Sequence, residues 1–357
     1  MRMKATAHHR RCIEKTGRFA ALLITAVGLL GAQLSAQPIL LVHGGAGTIN
    51  RGELDPATEQ AIRADLRSAL LAGAAQLSEG HSAEAAVIAA VRVLEESAHF
   101  NAGKGAVFDA EGGHQLDASL MRGWDRGAGA VAGLRTTRSP ILAAQAVMRG
   151  SPHVMLSGPD ADGFAAAQGL EQVANDWFDT DFRRGQWQHW QAQQADTTTA
   201  VERGQLPMGY LYGTVGAVAR DQQGRLAAAT STGGMTGKRW GRVGDAPIIG
   251  AGTWADANCA VSATGHGEYF IRLGVAQRLC NRVDFQGRSI DSAARRVIIE
   301  ELTELGGTGG VIALGPSGEH ALVFNTSGMY RGWIDAEGQI HVAIHADVDS
   351  APGAGAP

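Results

Sequence analysis

Each group of strand-like runs in this chain is followed by a segment of helical spacing long enough to cover one face of a sheet. Residues 38–43 (PILLVH) read as a short apolar strand that ends in Gly44-Gly45-Ala46-Gly47. Residues 55–77 then place Ile62, Leu66, Ala69, Leu70 and Gly73 on one helical face. A second helix is predicted over 82–96, with Ser82 as its N-cap. Residues 107–116 read as a hairpin turning at Gly112-Gly113, 127–134 as a strand, and 140–149 and 158–168 as short helices. Strand character returns at Thr214, where 215–219 pairs back through a turn at 221–224 with 225–231. A strand at 259–263, helices at 270–279 and 290–305, and strands at 311–314, 321–325 and 340–344 complete the order. Strands covered group by group by helices predict a layered α+β sandwich rather than an all-α or all-β fold. The 49 glycines show no G-X-Y period, so they are assigned to turns and close backbone approaches rather than to a collagen-like helix.

The pattern fails between 175 and 213. This segment is rich in Gln, Thr and Asp, and a structureless stretch of that length inside a compact domain is expected to be functional, disordered or both. The small-residue end, 349–357, is expected to be a disordered tail.

Charge excludes some function classes. With 31 Lys and Arg against 35 Asp and Glu, the formal charge of −4 gives no support to nucleic-acid binding by bulk electrostatics. At 45% hydrophobic and 18% charged, the chain has the composition of a globular protein. The charge is uneven: residues 1–36 carry six bases against the single acid Glu14, a net +5 that leaves −9 for the remainder. That basic start runs into an apolar stretch at 19–30 and then into Ala32-Gln33-Leu34-Ser35-Ala36. Together they read as a secretory signal, cut after Ala36, and Gln33 interrupts the apolar run too early for a spanning helix. The mature chain is therefore expected to be periplasmic or secreted, with no membrane contact after signal removal. Cys12 would be lost with the signal. Cys259 and Cys280 could pair in an oxidising compartment, but spacing alone does not show the geometry, and the expectation is two small buried residues.

Several motifs fail in context. Gly250-Ala251-Gly252-Thr253-Trp254-Ala255 has the form of a dinucleotide fingerprint but leads into a strand-like run instead of a helix. Gly237-Lys238 lacks the spacing and the Ser or Thr of a phosphate loop. His341 and His345 stand four apart without the glutamate of a zinc protease, and no G-x-S-x-G elbow occurs.

The junction Gly213-Thr214 has a chemical reading. If the chain were cut there, Thr214 would carry a hydroxyl and a free α-amine of pKa about 7.7–8.0, able to act as base for its own hydroxyl. Alone, an ordinary strand-opening threonine is the simpler reading. The surrounding motifs change that. Gly213-Thr214-Val215-Gly216-Ala217-Val218-Ala219, Thr230-Ser231-Thr232-Gly233-Gly234-Met235-Thr236 and Gly241-Arg242-Val243-Gly244-Asp245 together resemble the plant-type asparaginase and isoaspartyl peptidase family of N-terminal-nucleophile hydrolases. So do His43-Gly44-Gly45-Ala46-Gly47, Asn101-Ala102-Gly103-Lys104-Gly105, Leu116-Asp117-Ala118 and Thr264-Gly265-His266-Gly267-Glu268. Gly306-Gly307-Thr308-Gly309-Gly310 and Phe324-Asn325-Thr326-Ser327-Gly328-Met329 fit as well, and the matches keep the family's order from 38 to 344.

The resemblance implies a four-layer αββα sandwich and self-cleavage between Gly213 and Thr214. An α chain (37–213, with 175–213 as a flexible processing linker) and a β chain (214–357) would result, two of each forming a heterotetramer. Thr214 is the implied nucleophile toward L-asparagine and β-aspartyl peptides. By the same resemblance Thr232 would tune it, Thr264 and Gly265 would form the oxyanion hole and contact substrate, and Asn101 would lie close by. Arg242 and Asp245 would form the substrate clamp. A substrate with an α-carboxylate and an α-ammonium needs one cation and one anion side by side, which the clamp would supply. The family implies no cofactor for catalysis. It does imply a structural sodium ion held by the main-chain carbonyls of Leu94, Glu95, Ser97, Phe100, Ala102 and Lys104. A glycosylasparaginase is the nearest alternative, and a non-catalytic aspartyl-binding relative is a more distant one.

Overall fold

A computed structural model describes residues 39–47, 49, 52, 54–196, 213–335 and 337–346, without the side chains of 195 and 196. The expected signal with its cut after Ala36, the 197–212 part of the expected linker and the expected tail at 349–357 lie outside the described residues. Strand β1 (Ile39–Gly47) is followed by α1 (Pro56–Ser78) and α2 (Ala83–Glu96), then by β2 (Leu116–Arg122), β3 (Ala128–Leu134), α3 (Pro140–Gly150), β4 (Met155–Ser157), α4 (Gly158–Ala167) and α5 (Asp181–Asp196). Beyond Thr214 come β5 (Val215–Arg220), β6 (Leu226–Thr232), β7 (Thr253–Ala255), β8 (Ala260–Gly265), α6 (Gly267–Leu273), α7 (Val275–Gln286) and α8 (Ile290–Arg295). The order closes with β9 (Gly309–Leu314), β10 (His320–Phe324), β11 (Gly328–Ile334) and β12 (Ile340–His345).

Two sheets form, in the orders β12-β11-β1-β5-β6-β2-β3-β4 and β10-β9-β8-β7. The strand period of two decides what each face meets. Leu40 and Val42 of β1, Val215, Ala217 and Ala219 of β5, and Ala227 and Ala229 of β6 point to one side, into a core with Leu66 and Leu70 of α1 and Val87 and Val91 of α2. Ile39, Leu41, Val218, Leu226 and Ala228 point to the other, into a second core with Val261, Ile312, Leu279 and Ile298. The two sheets pack face to face, α1, α2 and α3 cover the larger sheet, and α7 and α8 cover the smaller. This is the four-layer αββα sandwich, and the first core spans its outer interface while the second runs through the middle.

Local chemistry sets the ends of the first two helices. Asp55 caps α1 by accepting from the N–H groups of Ala57 and Thr58 at 3.0 and 3.1 Å, with Pro56 at the first helical position. Ser82 caps α2 through the Ala85 N–H at 3.3 Å. Both helices stand where their spacing predicts.

Four expectations need correction. Residues 107–115 form a turn rather than a hairpin, because the Asp109 carboxylate takes the N–H groups of Glu111 and Gly113 that a strand partner would have taken. The helix expected at 270–279 is broken at Gly274, whose φ of 63° joins α6 to α7. The expected structureless segment is ordered over its first half, with a 3₁₀ turn at Asn175–Phe178 and α5 after it. Its buried positions, Arg183 and Trp190 with Trp187 half-buried between them, follow helical spacing, but an Arg and Trp face on a Gln-rich helix leaves no hydropathic period. Finally, Cys259 and Cys280 form a disulfide with Cα atoms 5.5 Å apart. Both are fully buried as expected, and the packing of α7 on β8 brings them together.

Candidate active site

Thr214 and Thr232 meet because of register. Val215 of β5 pairs with Ser231 of β6, so the residues one step outward, Thr214 and Thr232, stand opposite each other. Alternation turns both toward the smaller sheet, as it does Thr230, while Ser231 turns to the helix side. Thr214 Oγ1 donates to Thr232 Oγ1 at 3.1 Å, and Thr232 Oγ1 also accepts the Gly234 N–H at 3.0 Å. Both residues are buried. On the far side of β6, Asp117 of β2 is the register partner of Thr232.

The other expected site residues converge here. Asn101 donates to the Gly234 carbonyl at 2.7 Å, accepts from Val107 N–H at 2.9 Å and receives Gly233 N–H on its own carbonyl at 3.0 Å. It thereby holds the turn after Thr232. A Cβ on Gly213 would stand 3.0 Å from the Asn101 Cβ. Gly45 has φ +114°, and a Cβ there would lie 2.6 Å from the Gly213 Cα, so the β1 bulge admits only glycine beside the junction. The next residue, Ala46, donates its N–H to Thr264 Oγ1 at 3.4 Å, which places the fully buried Thr264 hydroxyl on the same turn. Gly265, at φ +155°, has no room for a side chain, because a Cβ there would lie 2.4 Å from the Thr308 carbonyl oxygen and 2.6 Å from the Phe270 ring.

Arg242 and Asp245, the pair expected to form a clamp, lie one turn further. A Cβ on Gly267 would be 3.0 Å from both Arg242 Nη2 and Asp245 Oδ1, so guanidinium and carboxylate face the same point. Asp245 is buried, its Oδ2 has no hydrogen-bond partner among the described residues, and burial raises its pKa to about 7 against the pull of Arg242. Arg242 donates from Nε and Nη2 to the two oxygens of Glu268 at 2.9 and 2.8 Å. That fork fixes the plane of the guanidinium and leaves its Nη1 edge to a ligand.

Three groups with no assigned role in the sequence also belong to this place. His43 is fully buried and donates from Nδ1 to the Thr214 carbonyl at 3.1 Å; that carbonyl can only accept, so the proton is on Nδ1 and Nε2 accepts from Ser262 Oγ at 2.9 Å. Burial lowers its pKa to about 3, although the Thr214 bond works the other way. Beyond Ser262, hydroxyls of Thr230 and Thr253 continue a buried chain to Ser119, with steps of 2.7, 2.5 and 2.7 Å. Asp117 is buried, its Oδ2 unpartnered among the described residues, and its pKa is raised by burial and drawn back by Lys238 and Arg242. Lys238 is itself buried, its pKa lowered by that burial, and it donates to the Gln115 carbonyl at 2.6 Å. The only signal for these three was their presence inside or beside glycine-rich motifs.

A junction threonine thus stands on a threonine partner, with the Arg242 guanidinium and the Asp245 carboxylate nearby. The asparaginase family profile matches residues 36–344. The chain belongs to the asparaginase family of N-terminal-nucleophile hydrolases. Among its asparaginase relatives, the isoaspartyl peptidase of Escherichia coli strain K12 is 46% identical over 298 residues, covering 83% of this chain and 92% of the relative. The isoaspartyl peptidase/L-asparaginase of Xenopus laevis is 39% identical over 310 residues, covering 87% and 96%. A probable isoaspartyl peptidase/L-asparaginase of Arabidopsis thaliana is 36% identical over 322 residues, covering 85% and 98%. The other tested motifs do not join this asparaginase site. Gly250-Ala251-Gly252 enters β7 with no helix after it, His341 stacks on Trp333 at 4.9 Å between centroids, and His345 Nδ1 bonds the Ile49 carbonyl at 3.2 Å.

Proposed function

We propose that this protein is an isoaspartyl peptidase and L-asparaginase that cuts itself between Gly213 and Thr214 and then hydrolyses β-aspartyl amides with Thr214 as nucleophile. One observation carries the reading: the Thr214 hydroxyl sits on the Thr232 hydroxyl at 3.1 Å, directly after the Gly213 bond and at the mouth of β5. In the precursor, Thr214 Oγ1 adds to the Gly213 carbonyl, the C–N bond breaks as its nitrogen takes a proton, and the ester formed is opened by water. Thr214 then holds a free amine, which as a neutral base takes the hydroxyl proton during attack on substrate. Thr264 and the Gly265 N–H are the donors for the developing oxyanion, a contribution of roughly 10² to 10³ in rate per donor. Arg242 grips the substrate α-carboxylate, and the orphaned Asp245 Oδ2 takes the α-ammonium. Ammonia or an amino acid leaves, and water releases aspartate. The names of the relatives favour this reading over a glycosylasparaginase.

The cut would divide the chain into 37–213 and 214–357, and two copies of each would assemble as a heterotetramer. Export with signal removal after Ala36 is part of the reading. It is supported by a family match that begins at residue 36 and by the disulfide, which suits an oxidising compartment. A sodium ion held by the carbonyls of 94–104 is part of it too. A Cβ on Gly103 would stand 2.2 Å from the Glu95 carbonyl oxygen, and one on Gly105 2.2 Å from that of Phe100, so both oxygens face inward over glycine. Bound there, the ion would brace the loop that carries Asn101.

Purified protein should run as bands of about 18 and about 15 kDa, from 177 and 144 of 357 residues at 37.2 kDa. Thr214→Ala should remain uncut, and a variant that still splits at that bond refutes the mechanism. Ammonia release from asparagine, measured beside hydrolysis of a β-aspartyl dipeptide and a glycosylated asparagine, sets the substrate class.

A further inference from the structure

Helix α5 carries a cation to the junction that the reaction as described does not use. Arg183 is buried; its Nε donates to the Gly105 carbonyl at 2.7 Å and its Nη1 to Gln186 Oε1 at 2.9 Å. Among the described residues it forms no ion pair, and the phenol of Tyr330 is the one titratable group that acts on it. Burial without a counter-ion lowers its pKa to about 10. An unpaired buried charge is costly to keep and marks a place where an anion is expected. Nη2 bonds none of the described residues, and a Cβ on Gly213 would stand 3.9 Å from it.

Gly213 holds an uncharged amide before cleavage and a carboxylate after it. We propose that Arg183 is the carboxylate site for the new α-chain terminus: once water opens the ester, the Gly213 carboxylate pairs with the Arg183 guanidinium and stays beside the nucleophile. The proposal rests on the self-cleavage put forward above. Hydrolysis of the ester consumes one water, returns the hydroxyl to Thr214 and leaves one negative charge on Gly213, which neutralises the one positive charge on Arg183. The end of the processing segment is then anchored rather than free. A planar guanidinium already held at Nε and Nη1 offers Nη2 with little loss of freedom.

The test follows the α-chain mass in mature native protein treated with a broad-specificity carboxypeptidase, for the native sequence, Arg183→Gln and Arg183→Lys. Gly213 should be lost at least tenfold faster from Arg183→Gln than from native protein, with Arg183→Lys between them because it keeps the charge. If native protein loses Gly213 as fast as a heat-denatured control, the proposal is overturned, and this comparison needs no variant to fold. An uncut chain of about 37 kDa overturns the cleavage reading and this proposal with it, whereas a cut chain with a freely trimmed end overturns only the anchor. A rise in KM for a β-aspartyl dipeptide but not for asparagine in Arg183→Gln, with Gly213 still protected, assigns the cation to the leaving amino acid and rejects the terminus as its ligand.

Discussion

The imidazole of His43 donates to the carbonyl of Thr214 across 171 residues of sequence, at 3.1 Å and out of contact with water. The bond fixes the backbone of the proposed nucleophile on the face turned to the smaller sheet, the face its hydroxyl also occupies. Because burial holds the imidazole pKa near 3 against an ordinary 6.5, the unfolded chain binds the extra proton between those values and the folded chain does not. The contribution is therefore full above pH 6.5 and lost as pH falls toward 3. His43→Ala should cost about 1–3 kcal/mol at neutral pH, from the Thr214 carbonyl left without the imidazole donor and the Ser262 hydroxyl left with Thr230 alone. It should also flatten the acid side of a plot of melting temperature against pH. A variant curve parallel to the native one from pH 6.5 to 4 would remove His43 from this role.

Much of this arrangement was legible in the sequence and some was not. The order of strands and helices followed from apolar period and from the cap Ser82, and the chemistry proposed for Gly213-Thr214 rests on motif order. What stayed hidden depends on long-range placement. The alternation of β1 makes His43 look like a strand-end residue, and only the packing of the two sheets puts Ser262 at its Nε2. Helix α5 was illegible because its buried face is Arg183, Trp187 and Trp190, a pattern with weak hydropathy. The disulfide was illegible because a separation of 21 residues says nothing about Cα distance. Glu95 was noted for its carbonyl, yet its side chain accepts from Ser139, Ile141 and Ser231.

The Thr214 and Thr232 pair predicts a kinetic split. Thr232→Val keeps the shape and the strand register but removes the acceptor that aligns Thr214 Oγ1. Both self-cleavage and turnover should slow by about 10² or more, in kcat rather than KM, since Thr232 is not part of the clamp. A variant that turns over normally with a raised KM contradicts this.

The proposed pairing of Asp245 with the substrate ammonium sets an acid limit on binding. In the free enzyme its carboxyl has a pKa of about 7, so below that value it is protonated and cannot pair with the substrate ammonium. The kcat/KM for a β-aspartyl dipeptide should fall about tenfold per pH unit below 7, and the loss should lie in KM. Asp245→Asn should lose most of its activity at neutral pH and show no KM inflection there. A native KM that is constant from pH 5 to 8 excludes the assignment.

The Cys259–Cys280 bridge ties the residue before β8 to α7 and closes a segment that contains β8 and α6. Loop closure of that length is worth about 3 kcal/mol through the unfolded state. Replacing both residues with Ala should lower the urea midpoint correspondingly, without changing kcat, because the bridge lies in the core away from Thr214. Addition of reductant to the unfolded native protein before refolding should reproduce that shift. An unchanged midpoint in both experiments means that the cysteines only pack.

Glu95 gives the opposite pH sign to His43. Burial raises its carboxyl from 4.5 to about 7, opposed by hydrogen bonds from Ser139 Oγ, Ser231 Oγ and Ile141 N–H. Between those values the folded chain keeps a proton that the unfolded chain has lost, so this contribution is complete below pH 4.5 and disappears as pH rises through 7. A shift of that size corresponds to about 3 kcal/mol. Glu95→Gln cannot ionise, and its amide can still accept from Ser231 and Ile141 while donating to Ser139. It should therefore match the native protein at pH 5 and exceed it by up to about 3 kcal/mol at pH 8, read from urea midpoints at the two values. Equal differences at both pH values would show that Glu95 holds the strand end beside Thr232 by packing alone and does not titrate there.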